Sequence, residues 1–540
     1  MTDLEVDAAV VGGGHHGLVA AAVLADAGWD VCLLEATDHL GGAVRSAELH
    51  PGYVTDLFSA FYPLSRASPV LQSLDLEEHG LRWSEAPAVL AHPLGPDGAE
   101  AAVLCRDRAD TAAGLDAQHR GDGEAWLDLC RRWDVLREPF LRTLFTTFPP
   151  VRGPVQLVRR LGTAEALRLA RFLLLPAKRM GEELFGGEGA RLLLAGNAVH
   201  ADIPTTSPVS GAYGWLLAML GQHYGFPVPV GGAGQLASAL ARRAEAAGAV
   251  LRTGERVEHV AVSGGRVRAV HTAAGTTVRV RRAVVADVAA PTLYRDLLPA
   301  DAVPTRVHRD LDRFVWDTPV VKLDWAIDGP IPWRAPEVGR AGTVHVGQGE
   351  DGLVRWSAEL ESRSLPASPF LLVGQMTTAD PSRSPAGTES AWAYTHLPRG
   401  VDDAGSADEL ARRAERVLER FAPGFGARVR HRVVQRPSDL QDADPNLVHG
   451  TINGGTAQLF QQLVFRPVPG LGRPETPVAG LYLGSSSAHP GGGVHGACGW
   501  FAARAALGAH GVTGLLRRAA TSAAIELLQR SRRGDERVSG

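Results

Sequence analysis

Lysine is nearly missing from this chain: Lys178 and Lys322 are the only two among 540 residues, and arginine carries almost all the positive charge. That bias fits a GC-rich coding sequence better than a binding device. The net charge of −4 gives no reason to expect nucleic acid as a partner. Cysteine is scarce as well. Cys32, Cys105, Cys130 and Cys498 stand far apart, with no C-x-x-C pair and no zinc-ligand spacing, so neither a redox-active dithiol nor a metal site is expected. No run of about 18 uncharged apolar residues occurs, which argues against a membrane span. The opening MTDLEVDAAV is acidic and has no basic segment leading into an apolar core, so a cytoplasmic location is expected.

What is present is the composition of a soluble globular protein, 45% hydrophobic and 21% charged, in a chain long enough for two interleaved lobes. Residues 6–11 (VDAAVV) read as a buried strand, Leu18–Ala27 as an alanine-rich helix closed by Gly28, and WDVCLLE as a second strand ending at Glu35. This is a βαβ unit, and its turn places Gly12, Gly14 and Gly17 in a G-x-G-x-x-G pattern. A helix N-terminus offers a diphosphate N–H donors and a favourable dipole. Gly12 permits the tight turn, Gly14 the approach of the phosphates, and Gly17 the packing of helix on strand. Glu35 can accept hydrogen bonds from a ribose 2′-OH and would repel a 2′-phosphate. Strand, turn, helix, strand and acid in register are far more specific than glycines alone. The next residues, ATDHLGGAVRS, bring Gly41–Gly42 and Arg45 to a second phosphate approach. NAD has no use for that second approach. FAD has, because its diphosphate and ribityl chain run on across the same lobe.

With these residues in hand, GGGHHGLVAAAVLADAGWDVCLLEATDHLGG and LYLGSSSAHPGGGVHG resemble the phytoene desaturase-like branch of the flavin-dependent amine oxidase superfamily, over nearly the whole chain. The resemblance implies an α/β, two-lobed flavoprotein with a Rossmann-type FAD-binding domain and an α+β substrate domain. The cofactor domain is expected from 1–96, 225–300 and 440–511, the substrate domain from 97–224 and 301–439, and a C-terminal helix with a flexible tail from 512–540. That branch commonly carries a His-Asn pair in the turn. His15 matches it and is expected beside the diphosphate, whereas His16 departs from it and reads as a tolerated substitution. The closing motif implies Gly484, Gly493 and His495 around the flavin, with a helix starting near His495–Gly496 and aimed at the N1/C2=O edge. Val257 falls where relatives contact adenine through backbone atoms. Two further departures are Ser485, where many amine oxidases carry an acid, and Ala43, where several relatives place an arginine whose role is open to Arg45. Gly231, Gly232 and Gly234 follow no buried strand, so no second nucleotide site for NAD(P)H is expected.

No pattern specifies a catalytic base. His489 and His495 flank the closing glycine turn and are the candidates, with a loop-anchoring role an equal alternative. His345, His396, Trp325, Trp333, Trp356 and Trp392 read as core or cavity wall. The expected activity is that of an FAD-dependent oxidoreductase taking a hydride from a small apolar, isoprenoid-like substrate, with oxygen or a quinone as electron acceptor. An amine oxidase, a flavin-dependent isomerase and a non-catalytic regulatory flavoprotein stay open. The basic amphipathic stretch 155–180 reads either as a peripheral membrane contact or as an ordinary helix pair.

Overall fold

The apolar strand Thr2–Val11 (β1), with Ala8, Ala9 and Val10 fully buried, runs into the glycine turn and continues as helix His15–Asp26 (α1) and strand Val31–Leu34 (β2). This is a computed structural model that describes residues 2–150, 152–347, 349–401, 403–511 and 513–529. The helix starts three residues before the alanine-rich pattern does, so both turn histidines belong to its first turn. It ends where Gly28 takes φ +77° and donates its N–H to Ala25 O at 2.8 Å.

β1 lies at the centre of a seven-stranded sheet, parallel to β2 on one side and to Thr276–Ala286 on the other. Val250–Arg252 extends the parallel run beyond β2, and Leu481–Leu483 pairs with the end of Thr276–Ala286. The period-two segment forms the meander expected of it, Val257–Ser263, Arg266–Thr272 and Thr276–Ala286, turning at Gly264–Gly265 and Gly275 where positive φ is needed.

A second seven-stranded sheet takes the order 429–435, 320–327, 389–396, 371–375, 341–346, 88–94, 100–104. Strand Ala88–Leu94, grouped from sequence with the cofactor lobe, thus pairs in this other sheet, in parallel with Ala341–Val346. Sequence spacing hides such a pairing, because the partner strand lies some 250 residues away. The stretch 155–180 is two helices, Arg152–Leu174, broken at Gly162 where φ is +75°, and Ala177–Leu184. The C-terminal helix is Gly514–Gln529. The tail expected at 530–540 lies outside the described residues. No helix among the described residues is long and apolar enough to cross a membrane.

The closing helix Ala497–His510 lies directly on α1, and glycine makes the contact possible: a Cβ on Gly499 would stand 1.9 Å from His16 O. Gly499→Ala should therefore destabilise the protein by about 1–3 kcal/mol through overpacking. Gly114→Ala, on an exposed helical site with nothing within 4 Å, should be neutral or stabilising by up to about 1 kcal/mol. Urea unfolding of both variants checks the contrast.

Candidate cofactor and substrate site

A single cavity of about 1070 Å³ runs from the C-terminal edge of the first sheet to the face of the second. Of the residues singled out from sequence, Gly12, Gly14, His15, Glu35, Gly42, Arg45, Val257, Gly493 and His495 line it, and so does His16. Gly17, Gly41, Gly484 and His489 do not. Gly17 is a packing residue, since its Cβ would meet Gly12 O at 2.1 Å. Gly41 holds the second glycine pair against the turn, its N–H donating to Gly13 O at 2.8 Å. Gly484 lets the last strand lie against the closing helix, a Cβ there meeting Val285 and Ala502, and Ser485–Ser487 face the cavity in its place.

Around the glycine turn the polar groups are tightly defined. Glu35 accepts the N–H of Gly13 at 2.7 Å and the N–H and hydroxyl of Thr37. Arg45 donates to Gly42 O and Ala443 O and stands over the ring of Phe58, which fixes its guanidinium at the second glycine pair. Two acids unnoticed in the sequence complete the ring. Asp287, at the end of the strand beside β1, accepts the N–H of Gly17 at 2.7 Å, and burial pushes its carboxyl up to about 8. Asp444 lies within reach of Gly42, and burial raises its value too. The signal for Asp287 was present: like Glu35, it closes a buried parallel strand, AVVAD.

The histidines are neutral. Burial holds His15 and His489 at about 4 and His495 at about 3, and His16 well below the usual imidazole range. His489, offered from sequence as a catalytic candidate, instead bonds Thr146 O through Nε2 and stacks on Phe501, away from the cavity. His495 does border the cavity, but both nitrogens are committed: Nδ1 accepts the Ala497 N–H at 3.0 Å, so Nε2 carries the proton toward Gly491 O. Neither is free to act as a base. His16, His495 and Cys498 bring their ligand atoms within 4.8 Å of one another. Both nitrogens of His495 are already committed to its own loop, and burial pushes the Cys498 thiol up to about 12.

At the far end, sheet register builds the wall. Lys322 stands opposite Tyr394 and Asp324 opposite Trp392 across two neighbouring strands. Lys322 pairs with Asp324, which also accepts from Thr55 and Gln435, and lies over the Trp392 ring. Trp392 and Tyr394 are stacked at 6.1 Å and 10°. A Cβ on Gly374 would strike the Trp392 indole at 2.3 Å, so this strand pair needs glycine there. Phe140, Leu144, Leu173, Leu216 and Phe226 add apolar surface to the wall, beside the polar His200, Tyr213 and Gln462. Trp392 is a wall residue, as expected, while Trp325, Trp333, Trp356 and His345 are buried outside it. Lys322 and Asp324 stand out in the sequence as two charges two residues apart in the fully buried strand VVKLDWAI.

A glycine-cradled dinucleotide seat on a parallel sheet, opening into an apolar cavity against a second sheet, is the arrangement of a nucleotide-dependent oxidoreductase. The chain belongs to the family of flavin containing amine oxidoreductases, which it matches over residues 17–507, and it is an FAD-dependent oxidoreductase. It is 29% identical to pyridine nucleotide-disulfide oxidoreductase domain-containing protein 2 of Rattus norvegicus over 92% of both chains. Among solved structures it shares its fold with an oxidoreductase from Methanosarcina mazei (15% identity, TM-score 0.61, covering 93% of this chain and 100% of that one). Putrescine oxidase has the same fold (18% identity, TM-score 0.60, 94% and 98% covered). The residues fit FAD. The buried Nε2 of His15 and both ring nitrogens of His16 lack partners at the cavity wall. Gly14 and Gly42 leave a cradle that side chains would fill, against Asp287 and against Gly14 Cα respectively.

Behind the wall, His396 is held between Asp202, 2.9 Å from Nε2, and Thr318 O, 3.1 Å from Nδ1. Burial alone would lower its value, but the Asp202 carboxylate raises it above the usual 6.5. A raised histidine stabilises the fold fully below pH 6.5 and loses that contribution as pH climbs through its folded value. His396→Gln should cost about 3–5 kcal/mol at about pH 6, by leaving the buried Asp202 carboxylate with the Asn453 amide and no cation. The gap to wild type should narrow in alkali, as read by denaturant unfolding across pH. A gap that stays flat with pH would mean the pair is not ionic.

Proposed function

We propose that FAD lies extended along this cavity and that the protein takes a hydride from an apolar, isoprenoid-like substrate held against the second sheet. In this reading the adenosine sits between Glu35 and Val257, and the diphosphate sits on the first turn of α1 beside His15, Gly42 and Arg45. The reactive ring lies under the loop Gly493–His495. One observation carries the substrate class: the carboxylates of the cavity, Glu35, Asp287, Asp296 and Asp444, all belong to segments around the cofactor seat, while the segments 140–226 and 316–394 bring none. A cationic substrate would find no counter-charge there, and a hydrocarbon would find a matching surface.

FAD supplies the two-electron acceptor. The chain supplies alignment, exclusion of water and positive potential. The N-terminus of Ala497–His510 stabilises negative charge as electrons enter the site. Oxygen or a quinone takes those electrons afterwards. The disulfide chemistry in the rat relative's name has no counterpart here, since all four cysteines are free and none forms a vicinal pair. An amine substrate is the second reading, favoured by the parallel Trp392 and Tyr394 rings, which can receive a cation face-on. Lys322 beside them opposes it for a protonated amine.

Anaerobic mixing with isoprenoid hydrocarbons should bleach the visible flavin band, and primary amines should not. Bleaching by amines alone would reverse the assignment, and no bleaching by any donor would favour the isomerase or regulatory alternatives. Glu35→Ala should weaken FAD binding by about 10–100-fold, equivalent to about 1.4–3 kcal/mol, in a fluorescence titration.

The substrate class also gives a reason for exposed apolar side chains on the helix that brings Leu173 to the cavity, Leu167 at 68% and Leu174 at 55% exposed. Set among the arginines of 152–174, they suit docking on an anionic lipid surface. The protein should float with vesicles containing phosphatidylserine and not with neutral ones. Arg159→Glu with Leu167→Ser should abolish flotation, and an unchanged distribution would dismiss the contact.

A further inference from the structure

The anion seat of this cavity is ringed by acids. Glu35 bonds Gly13, Asp287 bonds Gly17, and Asp444 Oδ2 lies 3.4 Å from where a Cβ on Gly42 would be. A Cβ on Gly14, the residue that admits the phosphates, would stand 2.6 Å from Asp287 Oδ2. Three carboxylates therefore crowd the place where a diphosphate brings further negative charge. Like charges at such range force one group to hold a proton.

The geometry singles out one of the three. Glu35 is half-buried and satisfied by three donors, and Asp444 accepts the Asn446 N–H at 3.0 Å with Arg45 nearby. Asp287 is 6% exposed and, among the described residues, accepts a single N–H and has no cation within 4.0 Å. α1 presents the neutral rings of His15 and His16, and β2 presents Glu35. The glycine pair presents Arg45, tied to two carbonyls, and the 444–446 loop presents Asp444 and Asn446, whose amide donates to Asp287 O. The closing helix presents the un-ionised Cys498, and Arg256 lies on the same cavity wall.

We propose that Asp287 binds the cofactor as a carboxylic acid, its Oδ2 accepting from Gly17 and its other oxygen donating a proton toward the diphosphate, so that FAD binding takes up one proton at this side chain. The proposal rests on the diphosphate sitting at this turn. It gives a reason for an acid at the end of a parallel strand, where a carboxylate would repel the ligand and a neutral acid adds a short, strong O–H···O⁻ bond. Because the free carboxyl already stands at about 8, uptake is small in mild acid and grows in mild alkali.

The test is calorimetric titration of the apoprotein with FAD, in buffers of different ionisation enthalpy, which counts protons without any turnover. Wild type should take up close to none at about pH 6 and approach one at about pH 9, its affinity falling by up to about tenfold per pH unit above pH 8. Asp287→Asn keeps the acceptor for Gly17 and should bind FAD with no proton uptake and a flat pH profile. Asp444→Asn should retain the uptake. Uptake that survives in Asp287→Asn, or a wild-type count of zero at about pH 9 with FAD still bound, overturns the proposal. Should Asp287→Asn fail to fold, the Asp444→Asn count decides: uptake retained there supports the proposal, and uptake lost there overturns it. The Glu35→Ala titration separates the two layers: if that variant binds FAD as wild type does, the seat itself is misplaced and the Asp287 role falls with it.

Discussion

Two helices can aim their first turns into one cavity only if their backbones come together with no side chains between them. Here α1 meets the end of β1 through Gly17 against Gly12 O, and the closing helix meets α1 through Gly499 against His16 O. Both contacts are closer than any Cβ tolerates, so glycine is a steric requirement at each. The consequence reaches beyond packing. Each N-terminus has one first-turn N–H taken by a side chain, Gly17 by Asp287 and Ala497 by His495, and the two partial positive ends converge on the cavity. The loop between Pro490 and His495 is pinned between them, with Ser65 and Ser68 donating to Val494 O and His495 O and the His495 ring tied to its own loop.

Charge in the cavity is sorted by distance from that junction. Glu35, Asp287 and Asp444 gather at the glycine turn with Arg45, each carboxylate accepting at least one backbone N–H. Lys322, against the second sheet, is neutralised by Asp324 and enclosed by aromatic rings, and the buried Arg466 is held by the carbonyls of Asn453, Gly455, Thr456 and Ser486. A buried lysine with no partner would be costly, and the Thr55 and Gln435 bonds to Asp324 keep its counter-ion in place. The substrate end is thus apolar without being featureless. The neutral histidines fit the same pattern: in so dry a wall imidazole gives up its proton before it will hold a charge.

Where reading the sequence fell short, the cause was local resemblance between different roles. Gly484 and Gly493 look alike in GSSSAHPGGG, yet one packs a strand against a helix and the other borders the cavity. His489 and His495 both flank the turn, and only the fold shows one facing Thr146 O and the other locked on its own loop. Strand Ala88–Leu94 was grouped with its sequence neighbours, while its hydrogen bonds belong to the other sheet.

The sequence by itself determined the βαβ unit, its glycines at 12, 14 and 17, the acid at 35 and the glycine pair at 41–42. Each of these is a steric or hydrogen-bonding need met by residues close together in the chain. Only the tertiary structure decided what surrounds the ligand. Asp287 reaches Gly17 across 270 positions and Arg45 reaches Ala443 across 398. Lys322 faces Tyr394 through a strand register that no short stretch of sequence contains. Periodicity and turn chemistry are local quantities, whereas a cavity wall is assembled from segments whose only common property is where the two sheets bring them.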